Sequence, residues 1–486
     1  MSAGDAVAIQ ESSSQDVSSQ SDEKPPIMIE KSQAPSTLDS PSSEQDGASN
    51  GTGVTTLKTP SFMDSPSPTF GSQSSFLDTT FVRQKNGWIP KEQYRLKNNL
   101  LIGVGLLELG NAGDFAANVW NQIPIPHFAM ALMALGGTLA LTISIFAFRD
   151  AFLSRENIRN LRKERRFLWA QKADLGAEIS RDLDSQLNMN FRELGTEYVE
   201  RLGMDIAMGF GAIMVGIGTF LAIGGANPRI FSASNLLSGY IGNAPVAIFG
   251  LCNTGFSVYV WRRAHRHGRA ATKEVRSVVF LRRIRRVKTH AAIYAITGVT
   301  AGAASLVTAT HWEGYPVLIP CIISSIVCNY LWRNRIGYER PLIQQRLDMD
   351  EASLIRELEH TTLTREIFRT RDPSEWLLKL IPDPDSLPSI LEFLSANDLF
   401  DDFCLRLLKD NALARSIFGP LGREVTIDEQ MSLTADKELH AKMVKAAEET
   451  MKEMGPLRFK YRERYCLEAL GCYLCSKGVV IAKAKC

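Results

Sequence analysis

Between residues 98 and 332 the chain holds six long stretches almost free of charge, and no other feature limits its fold so strongly. A helix needs about 20 predominantly apolar residues to cross roughly 30 Å of hydrocarbon, and lipid tolerates only backbones whose hydrogen bonds close internally. The stretches run from Asn99 to Val119, His127 to Phe148, Asp205 to Gly224, Ala244 to Trp261, Ala291 to Thr310 and Tyr315 to Trp332. The connections between them alternate between short and long, which predicts three helical hairpins. Average composition conceals this, because 45% hydrophobic and 22% charged residues would suit a soluble protein.

Orientation follows from the basic residues beside the spans. Arg149 to Lys172 carries 8 Lys/Arg against 3 Asp/Glu, and Arg262 to His290 carries 11 against Glu274 alone. Lys91, Arg95 and Lys97 precede the first span, and Arg333, Arg335 and Arg340 follow the last, whereas the three short loops offer only Arg229. Under the positive-inside rule both termini and both long loops are expected in the cytoplasm.

The first 80 residues hold 19 serines, 11 Asp/Glu and 3 Lys/Arg, a composition too polar to offset its own chain entropy by burial. They are expected to be a disordered tail, with Ser40, Thr59, Ser65 and Ser67 before prolines as candidate phosphorylation sites. No basic n-region and apolar h-region open the chain, so no removable signal peptide is expected. The expected fold is therefore an all-α integral membrane protein, with six transmembrane helices in three hairpins and a helical cytoplasmic C-terminal domain. Its expected segments are the tail at 1–80, a juxtamembrane segment at 81–97, the membrane domain at 98–332 with basic loops 149–204 and 262–290, and the cytoplasmic domain at 333–486.

Away from the span ends, the ionisable groups within the spans are Glu108 and Asp114, both in the first. On an α-helix Glu108 and Asn111 share a face, with Asp114 trailing by about 60°. Two readings follow. Glu108, Asn111 and Asp114 are a candidate intramembrane polar site lining a proton or cation pathway, as acids in lipid are functional candidates by default. Alternatively, a neutral Glu108 hydrogen-bonds a neighbouring helix at a residue such as Thr138 or Thr142. Small residues recur at Gly136, Ala140 and Ser144, at Ala212 and Gly216, and at Gly298 and Gly302. Such spacing suits close helix packing within the chain or between copies, so a homo-oligomer is among the expected arrangements.

Residues Leu161, Leu168, Leu175, Ile179, Leu183 and Leu187 form one apolar face in the first long loop. Basic clusters at Arg159 to Arg166 and Arg282 to Arg286 suit anionic lipids. Beyond Arg333, helical patterns occupy Leu342 to Phe368, Pro388 to Ile417, Ala435 to Met454 and Leu457 to Cys475, with breaks at Pro382 to Asp385, Gly419-Pro420 and Gly455-Pro456. The eight cysteines are too sparse for a disulfide scaffold. Cys472 and Cys475 are candidate palmitoylation sites; their C-x-x-C spacing lacks a second pair, so no metal is expected.

Catalytic motifs are missing: no Gly-rich phosphate loop, no Gly-x-Ser-x-Gly and no His-Glu-x-x-His. The expectation is a non-enzymatic multi-pass membrane protein, without cofactor or nucleic-acid partner, that organises or recruits cytoplasmic proteins at a membrane. The alternative is a proton- or cation-coupled transporter or channel built on the acids of the first span.

Overall fold

The computed structural model describes residues 79–484 except 86, 94, 121–122, 175–179, 275–276, 344–349, 370–375, 377–378 and 428–436. The tail at 1–78, with its Ser-Pro and Thr-Pro sites, and Leu175 and Ile179 of the apolar face lie outside these residues. Thr79 and Thr80, expected to close the tail, belong instead to strand β1 (Thr79–Gln84), whose alternating side chains bury Phe81 completely. A turn at Gly87, where φ is +129°, returns the chain as β2 (Gly87–Pro90), with Phe81 opposite Pro90. The free edge of β1 pairs with a strand over 300 residues away, and Phe81 enters a core built from the C-terminal helices. A fully buried side chain of this size contributes about 1.5–3 kcal/mol, enough to draw the juxtamembrane segment into that core.

After β3 (Arg95–Leu96), the first expected span is not one α-helix. Residues Ile102–Ala112 wind as a 3-10 helix, and a turn leads to the short α1 (Phe115–Val119). Glycines at 103, 105, 110 and 113 weaken the α preference here, and the backbone lies close against neighbours: a Cβ on Gly110 would sit 3.0 Å from the Ala212 Cβ. Next comes α2 (His127–Asp174), followed by α3 (Ser180–Gly195), which continues through a π-helical stretch, Thr196–Gly203, into α4 (Met204–Ala222). Then follow α5 (Pro228–Asn235), α6 (Ala244–Glu274), α7 (Val278–Val307) and α8 (Tyr315–Leu331). The 48 residues of α2 extend over roughly 70 Å, more than twice the hydrocarbon thickness. Arg149 to Asp174 contains neither Gly nor Pro, so nothing stops the helix where its apolar half ends.

Five helical segments among the described residues are long and apolar enough to cross a membrane: His127–Asp174, Asp182–Ala222, Pro228–Thr272, Val278–Val307 and Trp312–Ile336. Leu135, Ile145, Ile248, Leu251, Ile296 and Ile323 are each more than half exposed around them, a surface suited to lipid. The protein is thus a predominantly helical, multi-pass membrane protein. Small residues face inward, as their spacing predicts: a Cβ on Gly136 would meet the Gly113 carbonyl oxygen at 2.1 Å. α2 packs along α4 and α6 along α7, pairings that join helices across the long basic connections. They reach so far because those connections are themselves helical.

At this basic end the remaining chain wraps the helix extensions. β4 (Arg340–Pro341) pairs with β3, and α9 (Glu351–Ile367), α10 (Leu387–Ala396), α11 (Phe400–Lys409) and α12 (Asn411–Phe418) precede β5 (Glu424–Ile427), the distant partner of β1. The last helix, α13 (Lys437–Ala484), packs against α9, α3 and α6. It runs straight through Gly455-Pro456, where the sequence predicts a break. An internal proline costs about 3 kcal/mol, but Met451 and Phe459 on either side are buried in the same core. Gly455 lets the helix approach Phe368 so closely that a Cβ would lie 2.8 Å from its ring. Of the expected apolar face, Leu161, Leu168, Leu183 and Leu187 are buried, Leu168 packing with Leu183, Leu187 and Ile343.

Candidate functional site

Glu108 sits in the 3-10 segment, 9% exposed, and its carboxyl meets the Ser325 side chain of α8. The expected partners on α2, Thr138 and Thr142, are exposed, and their hydroxyls donate to the carbonyls of Ala134 and Thr138 in their own helix. Asp114 is fully buried just before α1. Its Oδ1 accepts a hydrogen bond from the Tyr315 hydroxyl at 2.9 Å, and that hydroxyl accepts from Asn118 Nδ2 at 2.8 Å. One oxygen of each acid, Glu108 Oε2 and Asp114 Oδ2, has no hydrogen-bond partner among the described residues. The Asn111 side chain lies outside them. Ser325 and Tyr315 are ten residues apart on one helix, or roughly 15 Å, so the two acids contact α8 at separate levels. They form two polar contacts, and Asp114 pins the start of α8 to α1.

Three buried charge clusters at the basic end escaped the sequence reading. In the first, Arg201 bridges Asp150 at 2.9 Å and Glu197 at 3.0 Å and donates to Asn99 Oδ1 at 2.8 Å. Ser154 and Asn157 of α2 donate to the Glu197 carboxylate, so this cluster binds α2 to the π-helical stretch before α4. Asp205, also fully buried, adds a third carboxyl around the one guanidinium, and neither of its oxygens has a hydrogen-bond donor among the described residues.

In the second cluster, Arg340 is buried, at 1% exposed. Its guanidinium takes Glu164 of α2 at 2.7 Å on one side and Glu193 of α3 on the other, where Nε lies 3.0 Å from Oε1. Glu164 also accepts the Ile343 backbone N–H at 2.8 Å and Asn190 Nδ2 at 2.8 Å. Charge-assisted bonds of this geometry are the strong ones, and here they join three separate parts of the chain.

The third cluster centres on Glu468 of α13. Arg263 of α6 approaches it at 3.2 Å, Arg283 of α7 at 3.6 Å and Arg192 of α3 at 3.7 Å. Burial pushes the Glu468 carboxyl up, but Arg192 and Arg263 outweigh it and hold the group below the usual carboxylate range. One turn later Cys472 is 3% exposed, and its Sγ accepts from Arg263 Nη2 at 2.8 Å. Burial pushes this thiol up to about 11, away from the thiolate form that a nucleophile needs. Cys475 is half-buried. Among the described residues no group of three or more His, Cys, Asp or Glu side chains is placed to hold a metal ion.

The signal for these clusters was present but ambiguous. Asp150, Arg201 and Asp205 lie at span ends, where charges normally mark topology, and Glu193, Arg340 and Glu468 are distant in sequence. Compared with known families, curated proteins and solved structures, the chain has no match in any of the three.

Proposed function

We propose that this is a six-span membrane scaffold, without a catalytic site, which holds a rigid cytoplasmic platform for partner proteins. The observation that carries this reading is the use made of the buried charges. Arg201, Arg340 and Glu468 each tie helices that extend from the membrane to one another or to α13. Arginines and carboxylates locked in such pairs fix geometry and are not free to react.

The sixth span in this reading is the broken first segment. Eleven residues at a 3-10 rise of about 2 Å and five at about 1.5 Å cover roughly 30 Å, the hydrocarbon thickness. With six crossings and the basic ends inside, both termini are cytoplasmic, and the basic residues nearest the spans meet anionic lipid. Partner proteins then meet the tail and the exposed faces of the C-terminal helices.

Transport coupled to protons or cations is the second reading, favoured by one observation. The segment carrying Glu108 and Asp114 is discontinuous, and both acids are buried, as in substrate-binding segments of transporters. The full chain in proteoliposomes, with an imposed pH gradient, separates the two. The scaffold reading expects no flux above empty vesicles, together with partners crosslinked in intact cells that are lost when residues 1–78 are deleted. A flux abolished by Glu108→Gln in a protein that still elutes as a single species would overturn it in favour of transport.

A further inference from the structure

Between α7 and α8, at the basic end of the bundle, lies a groove of about 740 Å³ whose two ends differ in chemistry. Arg282, Arg285 and Arg286 of α7 line one end together with Arg335, which follows α8. All four are exposed, and among the described residues none is ion-paired with a carboxylate. No acidic side chain among the described residues lines the groove. The acid that acts on Arg286 is Glu463, already paired with Arg365, and the cations Arg335, Arg282 and Arg365 surround it. Like charges held this close repel one another, so an anion bound among them gains from all four at once.

From this end the groove continues over Ile293 on α7 and Ile323, Val327 and Leu331 on α8. Ile293, Ile323 and Val327 are each more than 40% exposed although apolar. The floor is closed by His290, whose ring nitrogen lies 3.2 Å from the Cys328 carbonyl and holds the two helices together. From Arg335 to Ile323 is twelve residues of helix, so the trough is roughly 18 Å long. Water is a poor occupant of its apolar end and hydrocarbon a poor occupant of its cationic end.

We propose that this groove is a binding site for an anionic phospholipid of the leaflet at the basic end, with its phosphates on Arg282, Arg285, Arg286 and Arg335 and one acyl chain along Ile293, Ile323 and Val327. Arginine matches phosphate geometry by bidentate donation, and basic pockets between membrane helices suit headgroups of high charge. Four guanidiniums exceed the charge of a single phosphodiester, so a lipid with additional phosphates, such as a phosphorylated phosphatidylinositol, binds in preference to phosphatidylserine. The site rests on the reading of α7 and α8 as membrane spans, but not on whether the protein is a scaffold or a transporter.

The test uses the full chain in phosphatidylcholine nanodiscs containing a trace of phosphatidylinositol bisphosphate with a photoreactive acyl chain. Crosslinks are expected on peptides containing Ile293, Ile323 and Val327, and a phosphatidylcholine probe should label them at least tenfold less. The triple change Arg282→Gln, Arg286→Gln, Arg335→Gln should reduce labelling to that level. Ile323→Trp with Val327→Trp, which fills the apolar end and leaves the arginines in place, should do the same in a protein that elutes normally. Equal labelling by the two probes, or labelling that survives both variants, overturns the proposal. Binding of soluble inositol trisphosphate as tight as that of the lipid also overturns it, since the acyl chain would then contribute nothing. If the protein stays dispersed without detergent, the membrane reading itself fails; a protein that needs detergent but shows no selective labelling loses only this site.

Discussion

Arg340 shows what a buried cation costs and what it secures. Taking a guanidinium out of water is unfavourable by several kcal/mol, and Glu164 and Glu193 offset this only because their oxygens meet its nitrogens at hydrogen-bond distance. Removal of the arginine alone leaves two uncompensated carboxylates, so Arg340→Met is expected to destabilise the protein by about 3–5 kcal/mol. Thermal unfolding in detergent should show this as a large fall in midpoint. Combining it with Glu164→Met and Glu193→Met should restore only part of the loss, because the uncompensated charges are gone but the Ile343 N–H and the Tyr338 hydroxyl lose their acceptors. A triple variant as unstable as the single one would show that the cluster supplies more than mutual neutralisation. At the same scale, Glu108 and Asp114 were legible as buried acids from their place in an apolar stretch. Their partners Ser325 and Tyr315 were not, because nothing local specifies which distant helix faces them.

Among the elements, periodicity predicted most helices and failed where packing overrode it. The apolar face through Leu161, Leu168, Leu183 and Leu187 is buried as its spacing requires. The first span departs from an α-helix because its glycines allow close contact with α2 and α4, and α13 passes the expected break at Pro456 because the core holds both sides of it. Close approach has a direct test at Gly136. Any side chain there must displace the Gly113 backbone, which a Cβ would meet at 2.1 Å, so the 3-10 segment would have to leave α2. Gly136→Val should therefore eliminate the monodisperse peak on size exclusion. Even Gly136→Ala should lower the unfolding midpoint, and a well-behaved valine variant would mean that the segment can move away from α2 at little cost.

Across the whole molecule, the described residues belong to one compact unit, in which the membrane helices continue into the C-terminal core. Residues Tyr461 to Leu474 of α13 are almost all buried between α3, α6 and α9, although they lie outside the five apolar segments. Amide hydrogen exchange should be as slow there as in the apolar half of α2, because opening α13 requires Glu468 to leave three arginines at once. Fast exchange in Tyr461 to Leu474 would show that α13 is loosely attached. Glu339 and Asp402 hold Arg458 near the start of the same stretch, at 2.6 and 2.7 Å, and extend the restraint toward α11.

That lipid surrounds much of this chain was already contained in the order of its residues, because a long uncharged stretch has few other stable environments, and the arginine asymmetry from which an orientation is inferred is equally local. Which charges are buried was settled only by packing in three dimensions. An arginine at a helix end looks the same in sequence whether it faces water, a phosphate or a glutamate 147 residues away, as Glu193 is from Arg340. That choice depends on the register of long helices against one another, which is set by the contacts of the complete chain.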